Sequence, residues 1–318
     1  MRALTKMWLA DGAIDGPMFA RLVDSCNIGF KPETIRIGAS QGTRELRFKD
    51  ARSLRILAEE PHLRHARLIG AGGESIALAN YAGQPINQLL WELPQPPADL
   101  SLIEAVTDLP GFRAAYLCDG DDVFWQSEDS LNAYEVHGRD HAHLPKVRGG
   151  GFFPGQDETI DVRENPGRER PVGGILLLAA SMMWFGPPAF EVLDRGRLLG
   201  ITDGSVVERA NGTVRVELFP FDWYTDSVSD LRHVQARFSD AMRFDELESR
   251  AEEFRPEIDP TFEITSDGCV HGGARRVIEW LDETGKVATP QSNAARVRIT
   301  ELSGTGEVLH RTEMPAQA

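Results

Sequence analysis

The chain has 318 residues and a formal net charge of −15, with 49 acidic side chains against 34 Lys and Arg. A negative field of this size repels phosphate backbones, so the composition argues against nucleic acid as a ligand and favours a basic partner. The apolar share of 41% and the six Trp are typical of a folded globular protein.

The sequence shows neither a typical targeting or membrane segment nor a typical cysteine motif. The longest apolar run, GGILLLAASMMWFG, is shorter than the roughly 20 residues of a membrane-spanning helix, and MRALTKMWLADG lacks the apolar segment of a secretory signal. Cys26, Cys118 and Cys269 show no spacing typical of a disulfide framework or a structural zinc site. We therefore expect a cytoplasmic protein with no membrane association, no cofactor and no metal.

The first third of the chain alternates helix and strand signals. Asp15 is a candidate N-cap, with Pro17 in the first turn of a short amphipathic helix. TIRIGA and TRELRF predict strands, and KDARSLRILAEEP predicts a helix. ARLIGAGGESIALANY predicts two strands joined at Gly72 and Gly73, and INQLLWELP predicts another strand. These elements predict an α+β fold, with a mixed sheet and flanking helices.

The middle of the chain continues the same pattern. Asp99 is a candidate cap for a helix, after which FRAAYLC, DVFWQ and NAYEVH predict three short strands. The segment 138–172 is rich in Gly, Pro and charge, which predicts a loop that is either functional or mobile. ILLLAA and TVRVELF predict strands, and SDLRHVQARF and FDELESRAEEF predict two amphipathic helices.

The last part of the chain changes in character. After RPEIDP the pattern predicts two hairpins, the first turning at Gly285 and the second at Gly304 and Gly306. We therefore predict a main body over residues 1–260 and a small strand-rich C-terminal unit over residues 261–318.

Two stretches echo one another: MWLADGAIDGPMFARLVD, which begins at Met7, and MWFGPPAFEVLD, which begins at Met183. Each holds Met-Trp, then Gly-Pro, then an apolar run that ends in Asp. A duplicated unit, chance and a shared catalytic motif are the three interpretations, and a duplication would divide the main body into halves 1–98 and 99–260. Only Asp24 and Asp194 match as polar groups, so the shared parts predict architecture rather than catalysis.

Three histidines in HGRDHAH offer the most concrete prediction of an enzyme. His137, His141 and His143 would support metal-assisted hydrolysis if their imidazoles converged on one ion. No further ligand motif accompanies them, so a surface or hydrogen-bonded histidine cluster is the other interpretation. Elsewhere no zinc-protease motif occurs.

Two further stretches are predicted to contact a partner. CDGDDVFWQSEDS gathers carboxylates on a predicted hairpin, and FPFDWYTDSVSDL holds an aromatic pair with acidic neighbours, which suits recognition of a basic protein surface. The predicted contact residues are Asp119, Asp121, Asp122, Glu128, Asp129, Asp222, Trp223, Tyr224 and Asp226. A solvated turn, and a helix cap at Asp226 with Trp223 in the core, are the alternative interpretations.

One segment carries a family resemblance. ENPGRERPVGGILLLAASMMWFGPPAF resembles part of some immunity proteins of bacterial polymorphic toxin systems, in which an Asn-Pro-Gly-Arg run, here Asn165 to Arg168, precedes a strand ending in Met-Trp-Phe/Leu-Gly-Pro. The resemblance spans about residues 161–226, about a fifth of the chain. It implies an inhibitor of a cognate toxin and transfers no catalytic residue.

The leading hypothesis from the sequence is therefore a cytoplasmic, immunity-type binding protein that covers a basic toxin or effector. The alternatives are a metal-assisted hydrolase that uses the three histidines, and a structural or accessory protein without catalysis.

Overall fold

A computed structural model of the chain describes residues 2–10, 12–39, 42–60, 63, 65–80, 86–148, 158–172, 175–221, 223, 229–253, 263–264, 270–271, 275–286, 295–302 and 308–315. Its main body is one ten-stranded sheet with helices against both faces. The α+β class predicted from the sequence is confirmed. Every strand pairing within this sheet is antiparallel, however, where a mixed sheet was expected.

Strands are numbered in chain order over the whole molecule. Those of the main sheet are β1 (Ala3–Ala10), β2 (Pro32–Ala39), β3 (Gly42–Arg47), β4 (His65–Gly70), β5 (Ser75–Asn80), β6 (Ile86–Leu93), β7 (Phe112–Asp119), β12 (Met182–Phe185), β13 (Ser205–Glu208) and β14 (Val214–Glu217). Their spatial order is β13-β14-β12-β7-β1-β6-β5-β4-β2-β3. Two short pairs stand apart from it: β8 (Lys146–Arg148) with β9 (Glu158–Ile160), and β10 (Arg170–Val172) with β11 (Ile175–Leu177).

Helices connect and cover the strands. They are α1 (Gly16–Ser25), α2 (Asp50–Ala58), α3 (Ser101–Thr107), α4 (Gly120–Ser127), α5 (Leu131–Val136), α6 (Arg195–Leu199), α7 (Ser229–Met242) and α8 (Phe244–Glu253), with a 3₁₀ helix at Pro187–Glu191. Asp15 caps α1 as predicted, since its Oδ1 accepts a hydrogen bond of 2.7 Å from the backbone N–H of Met18. None of the helices among the described residues combines the length and the apolar character needed to cross a bilayer.

Two apolar cores lie on opposite faces of the sheet, because successive side chains of a strand point to opposite sides. Central strand β7 shows this alternation: Ala115 and Leu117 lie in the first core, and Tyr116 and Cys118 lie in the second. Helices α1, α2 and α3 contribute buried side chains to the first core. Helices α4, α7 and α8 contribute to the second core, so β7 and β1 are covered on both sides.

The described residues beyond position 261 form strands that do not join the main sheet. These are β15 (Glu263–Ile264) paired with β16 (Val270–His271), and β17 (Arg275–Leu281), β18 (Arg296–Leu302) and β19 (Val308–Pro315) in a three-stranded antiparallel sheet. Gly285 has a φ of +84° in the turn after β17. Gly304, Gly306 and the boundary near residue 260 lie outside the described residues, so the division at that point stays a prediction.

The two echoing stretches share one local feature, a close contact between a glycine and another part of the backbone. In each, the glycine of the Gly-Pro pair lies against a main-chain carbonyl of another element. A Cβ on Gly16 would lie 2.5 Å from the carbonyl oxygen of Leu57, and a Cβ on Gly186 would lie well under 3.0 Å from that of Phe112. Both glycines therefore permit a close approach that any larger residue would block.

The matched side chains of the echo have different roles. Trp8 pairs with Ala114 of β7 and Trp184 pairs with Ala115, so the two indoles lie in different cores. Asp194 caps α6 through a hydrogen bond to the N–H of Arg197, whereas Asp24 lies inside α1. The structure thus gives no support to a shared catalytic motif.

Candidate protein-binding site

The acidic stretch that begins at Asp119 forms helix α4 and not the predicted hairpin. The carboxylate of Asp119 accepts hydrogen bonds from the backbone N–H groups of Asp121 (3.0 Å) and Asp122 (3.5 Å). Acidic side chains in the first turn also interact favourably with the positive end of the helix dipole. Val, Phe and Trp in DVFWQ favour strands, but this cap and the burial of Val123 in the second core outweigh that preference.

The next predicted strand, NAYEVH, is helix α5. Its N-cap is Ser130, whose Oγ accepts from the N–H of Ala133 at 3.4 Å. Glu128, at the end of α4, contacts the residue that caps α5. Its Oε1 accepts a hydrogen bond of 2.9 Å from the N–H of Ser130. The chain leaves α5 at Gly138, which has a φ of +63°. An Asp or Ser before each first turn was the sequence signal that identifies both helices.

Two of the predicted contact residues are buried. Asp119 is 1% exposed and caps α4. Asp122 forms a bidentate ion pair with Arg232 of α7, including an Nη1–Oδ2 hydrogen bond of 2.9 Å. Their burial corrects the prediction that they face a partner. Of the same acidic stretch, Asp121, Glu128 and Asp129 reach the surface.

An aromatic surface lies on these two helices. Phe124 is 43% exposed and Val136 is 73% exposed, so each of the two helices presents one large apolar side chain to the surface. The Trp125 ring lies edge-on to the rings of Phe124 and His137, with centroid distances of 4.8 and 5.5 Å. We call the four residues Phe124, Trp125, Val136 and His137 the α4–α5 surface.

Tyr134 and Arg139 hold the Trp125 ring of this surface in place. The buried ring of Tyr134 lies 4.8 Å from that of Trp125, and its hydroxyl donates to the Trp125 carbonyl oxygen at 3.3 Å. The guanidinium of Arg139 lies over the indole of Trp125, with 4.5 Å between Cζ and the ring centroid. Contacts within the chain therefore hold the indole in place.

Carboxylates flank the α4–α5 surface. Asp121, Glu128 and Asp129 come from α4 and the turn after it, and Glu135, whose side chain is exposed, comes from α5. Arg139 is a cation in the same region. Exposed rings flanked by acidic groups form the arrangement that suits a basic protein surface.

A cavity of about 220 Å³ adjoins the α4–α5 surface between α4 and the first residues of β1. Its walls include Leu4, Lys6, Val123, Phe124, Glu128 and Glu169. Lys6 Nζ donates to Glu169 Oε1 at this site, so the two charges form an ion pair on its wall. Phe124 belongs to both the cavity and the aromatic surface, which makes the two features continuous.

The sheet beside the cavity carries two buried groups that ionise only with difficulty. Burial raises the pKa of the Tyr116 hydroxyl above its usual range, and the negative charge of Glu169 adds to this effect. Burial likewise raises the pKa of the Cys118 thiol, and the ammonium of Lys6 offsets only part of the increase. Neither group is poised to act as a nucleophile.

We expect a thiol reagent at pH 8 to modify Cys26 well before Cys118. Cys118 is buried in the sheet and stays protonated, whereas Cys26 is partly exposed. Peptide mass spectrometry of briefly alkylated protein measures both positions in one sample. Equal rates of modification in the folded protein would contradict the burial of β7.

The Asn-Pro-Gly-Arg segment lies against α4 and connects it to α7. Asn165 Nδ2 donates to the carbonyl oxygen of Gln126 at 3.0 Å, and the N–H of Gly167 donates to Gln126 Oε1 at 3.3 Å. A Cβ on Gly167 would lie 3.0 Å from Gln235 Nε2 of α7. Even a methyl group at this glycine would therefore require the neighbouring side chains to shift by a few tenths of an ångström.

Two arginines that follow in this segment anchor α8. Arg168 forms a two-pronged ion pair with Glu248, with an Nη1–Oε1 distance of 2.7 Å, and Arg170 Nε donates to Asp245 at 3.0 Å. Burial, together with the charge of Arg168, lowers the pKa of Arg170. Through these contacts the Asn-Pro-Gly-Arg segment and Arg170 pack against α4 and α8.

The other predicted contact stretch lies elsewhere. The ring of Trp223 is partly buried and lies 5.2 Å from that of Phe221, which packs against the first core, whereas α4 packs against the second. Asp222, Tyr224 and Asp226 lie outside the described residues. The packing of Trp223 favours the interpretation that it stabilises the fold.

The three histidines have separate neighbours. His137 lies beside Trp125, His141 Nε2 is 3.7 Å from Glu135, and His143 Nδ1 is 3.5 Å from Asp140. In the part of the chain that the structure describes, no three His, Cys, Asp or Glu side chains are grouped as a metal ion requires. The metal-assisted hydrolase therefore has no geometric support there.

Comparison with known proteins adds no relative. Neither protein-family models, nor curated proteins, nor solved structures give a match to this chain. The resemblance to immunity proteins stays a prediction from the sequence, and any function has to be inferred from the site itself.

Proposed function

We propose that this protein is a cytoplasmic, immunity-type binding protein that inhibits a basic toxin or effector by covering it. The α4–α5 surface makes the central contact in this proposal. The observation that carries it is the exposure of Phe124 beside the Trp125 indole, with a second exposed apolar side chain, Val136, on the next helix and carboxylates on both helices. Aromatic anchors at the centre of an interface and charged groups at its rim are the usual division of roles in protein complexes.

The net charge supports a basic partner. A net charge of −15 attracts a cationic protein over a Debye length of about 8 Å at physiological salt. This attraction raises the association rate. The flanking carboxylates add a local contribution at the α4–α5 surface. Charge therefore determines how fast the partner arrives, and the aromatic contacts determine how long it stays.

Replacing Phe124 by alanine is expected to weaken the complex about 30-fold, mainly through faster dissociation, because a central aromatic anchor contributes about 2 kcal/mol or more. The partner is first captured from a lysate of the source cell on the immobilised protein, identified by mass spectrometry and purified. Association and dissociation rates are then measured for each variant. If the partner is an enzyme, its activity is expected to fall when one equivalent of this protein is added.

Matched variants distinguish this surface from general effects. Leu199→Ala removes another exposed apolar side chain, on α6, and is expected to leave both rates unchanged. Asp121→Lys and Glu135→Lys are expected to slow association, with the larger effect at low salt. An acidic partner, or binding that tolerates Phe124→Ala as well as it tolerates Leu199→Ala, would show that the proposed function is wrong.

A further inference from the structure

The cavity beside Phe124 defines one residue of the partner more closely. Resting on the proposed function, we infer that this cavity receives a single lysine or arginine side chain, whose cationic group pairs with Glu128. The inference depends on the size of the cavity, the nature of its walls and the distribution of charge around it.

Its size matches one side chain. A volume of about 220 Å³ is several times the share of a single water molecule, which is about 30 Å³, and lies below the range of about 300–1,000 Å³ for drug-sized ligands. Leu4, Val123 and Phe124 form an apolar wall along it. Long cationic side chains pack their aliphatic stems against such walls and keep the charged group at a polar rim.

Charge at the cavity favours a cation. Two cations and two carboxylates line the cavity, and three of the four form ion pairs. Lys6 is paired with Glu169, and Arg2 is paired with Glu92 and Asp121, which lie outside the cavity. Glu128 also lines the cavity, and among the described residues it forms no ion pair. Its Oε1 accepts from the N–H of Ser130, which fixes the side chain in place. A held carboxylate that is outside the ion pairs of the described residues is the group that a partner's ammonium or guanidinium would meet.

The position of Phe124 connects the cavity to the proposed interface. Its ring lies edge-on to that of Trp125 on the α4–α5 surface, and the same residue forms part of the cavity wall. A side chain entering the cavity would therefore come from a residue at the centre of the contact. Anchors of this kind, buried in a pocket and surrounded by other contacts, contribute most of the affinity of protein complexes.

Small probes test the inference without the partner. N-acetyl-arginine amide and N-acetyl-lysine amide are titrated separately into the protein, and amide chemical shifts are followed by NMR. We expect saturable shifts at Phe124, Ser127 and Glu128 with millimolar affinity, and the stronger of the two probes shows which cation the cavity prefers. N-acetyl-citrulline amide resembles the arginine probe in shape but has no charge, and we expect it to produce no saturable shift.

Two glutamine variants serve as a matched pair. Glu128→Gln keeps an acceptor for the N–H of Ser130 and is expected to lower the affinity of the cationic probes about tenfold, as loss of a charged hydrogen bond does. Glu135→Gln removes an equal charge from α5, outside the cavity, and is expected to change probe affinity little. Equal shifts from the citrulline derivative, or an unchanged affinity in Glu128→Gln, would overturn the inference.

The inference and the proposed function fail in different ways. If the probes do not bind while the partner complex still depends on Phe124, the inference is wrong and the proposed function stands. If the probes bind at Glu128 while no partner complex depends on Phe124, the proposed function is wrong and the cavity is a site for a cationic group from another source.

Discussion

Replacing Arg168 by alanine is expected to lower the free energy of unfolding by about 3–5 kcal/mol, the usual cost of breaking a buried ion pair from one side. The Arg168 side chain is 9% exposed and forms a two-pronged ion pair with Glu248 of α8. Its removal leaves Glu248, itself 18% exposed, without that cation. Urea unfolding followed by tryptophan fluorescence measures the change.

Arg163→Ala is the matched control. Arg163 also forms a two-pronged ion pair, with Asp161, but its side chain is 72% exposed. Exposed pairs contribute about 0–1 kcal/mol, so this variant is expected to unfold almost as the parent does. The double variant Arg168→Met with Glu248→Leu should recover much of the loss, because it removes both charges together. Similar stabilities for Arg168→Ala and Arg163→Ala would contradict the described anchoring of α8.

Replacing Gly186 by alanine is expected to cost about 3 kcal/mol of unfolding free energy, at the upper end of the usual cost of overpacking. The added methyl group would overlap the carbonyl oxygen of Phe112, a main-chain atom that cannot move aside by a side-chain rotation. Strands β7 and β12 would have to separate at this point. Thermal and urea unfolding both report the loss.

A second glycine in the same region provides the comparison. Gly196 lies in helix α6, where the nearest atom to an added Cβ is the side-chain oxygen of Asp194 at 3.2 Å. Alanine is favoured over glycine in helices by about 0.5–1 kcal/mol, so Gly196→Ala is expected to be neutral or slightly stabilising. If both variants were neutral, the close approach of the Gly186 backbone to Phe112 would be wrong.

Both stability predictions concern residues of the segment that resembles immunity proteins. Arg168 belongs to its Asn-Pro-Gly-Arg run and Gly186 to its Gly-Pro pair, and each has a packing role. The segment therefore supports a scaffold, while the surface proposed to bind lies on α4 and α5. A scaffold of this kind is compatible with many functions, so the function has to be tested at the surface.

Local patterns in the sequence predicted much of this fold. The α+β class, helices α1 and α2, strands β4 to β7 and helices α7 and α8 all follow from periodicity, caps and glycine turns, because those signals act over a few neighbouring residues. The same reasoning was wrong for α4 and α5. There the β-forming residue types suggested strands, while Asp119 and Ser130 in fact start helices.

The sequence by itself determined the acidity and the fold class, and it singled out the acidic stretch 119–129, which contains helix α4. Only the tertiary structure decided which groups of that stretch are buried and which are exposed. Asp122 is buried because Arg232, 110 residues away, pairs with it, and Phe124 is exposed because α4 turns its Val123 side to the second core. Such outcomes depend on which distant elements pack together, and neither residue spacing nor local propensity contains that information.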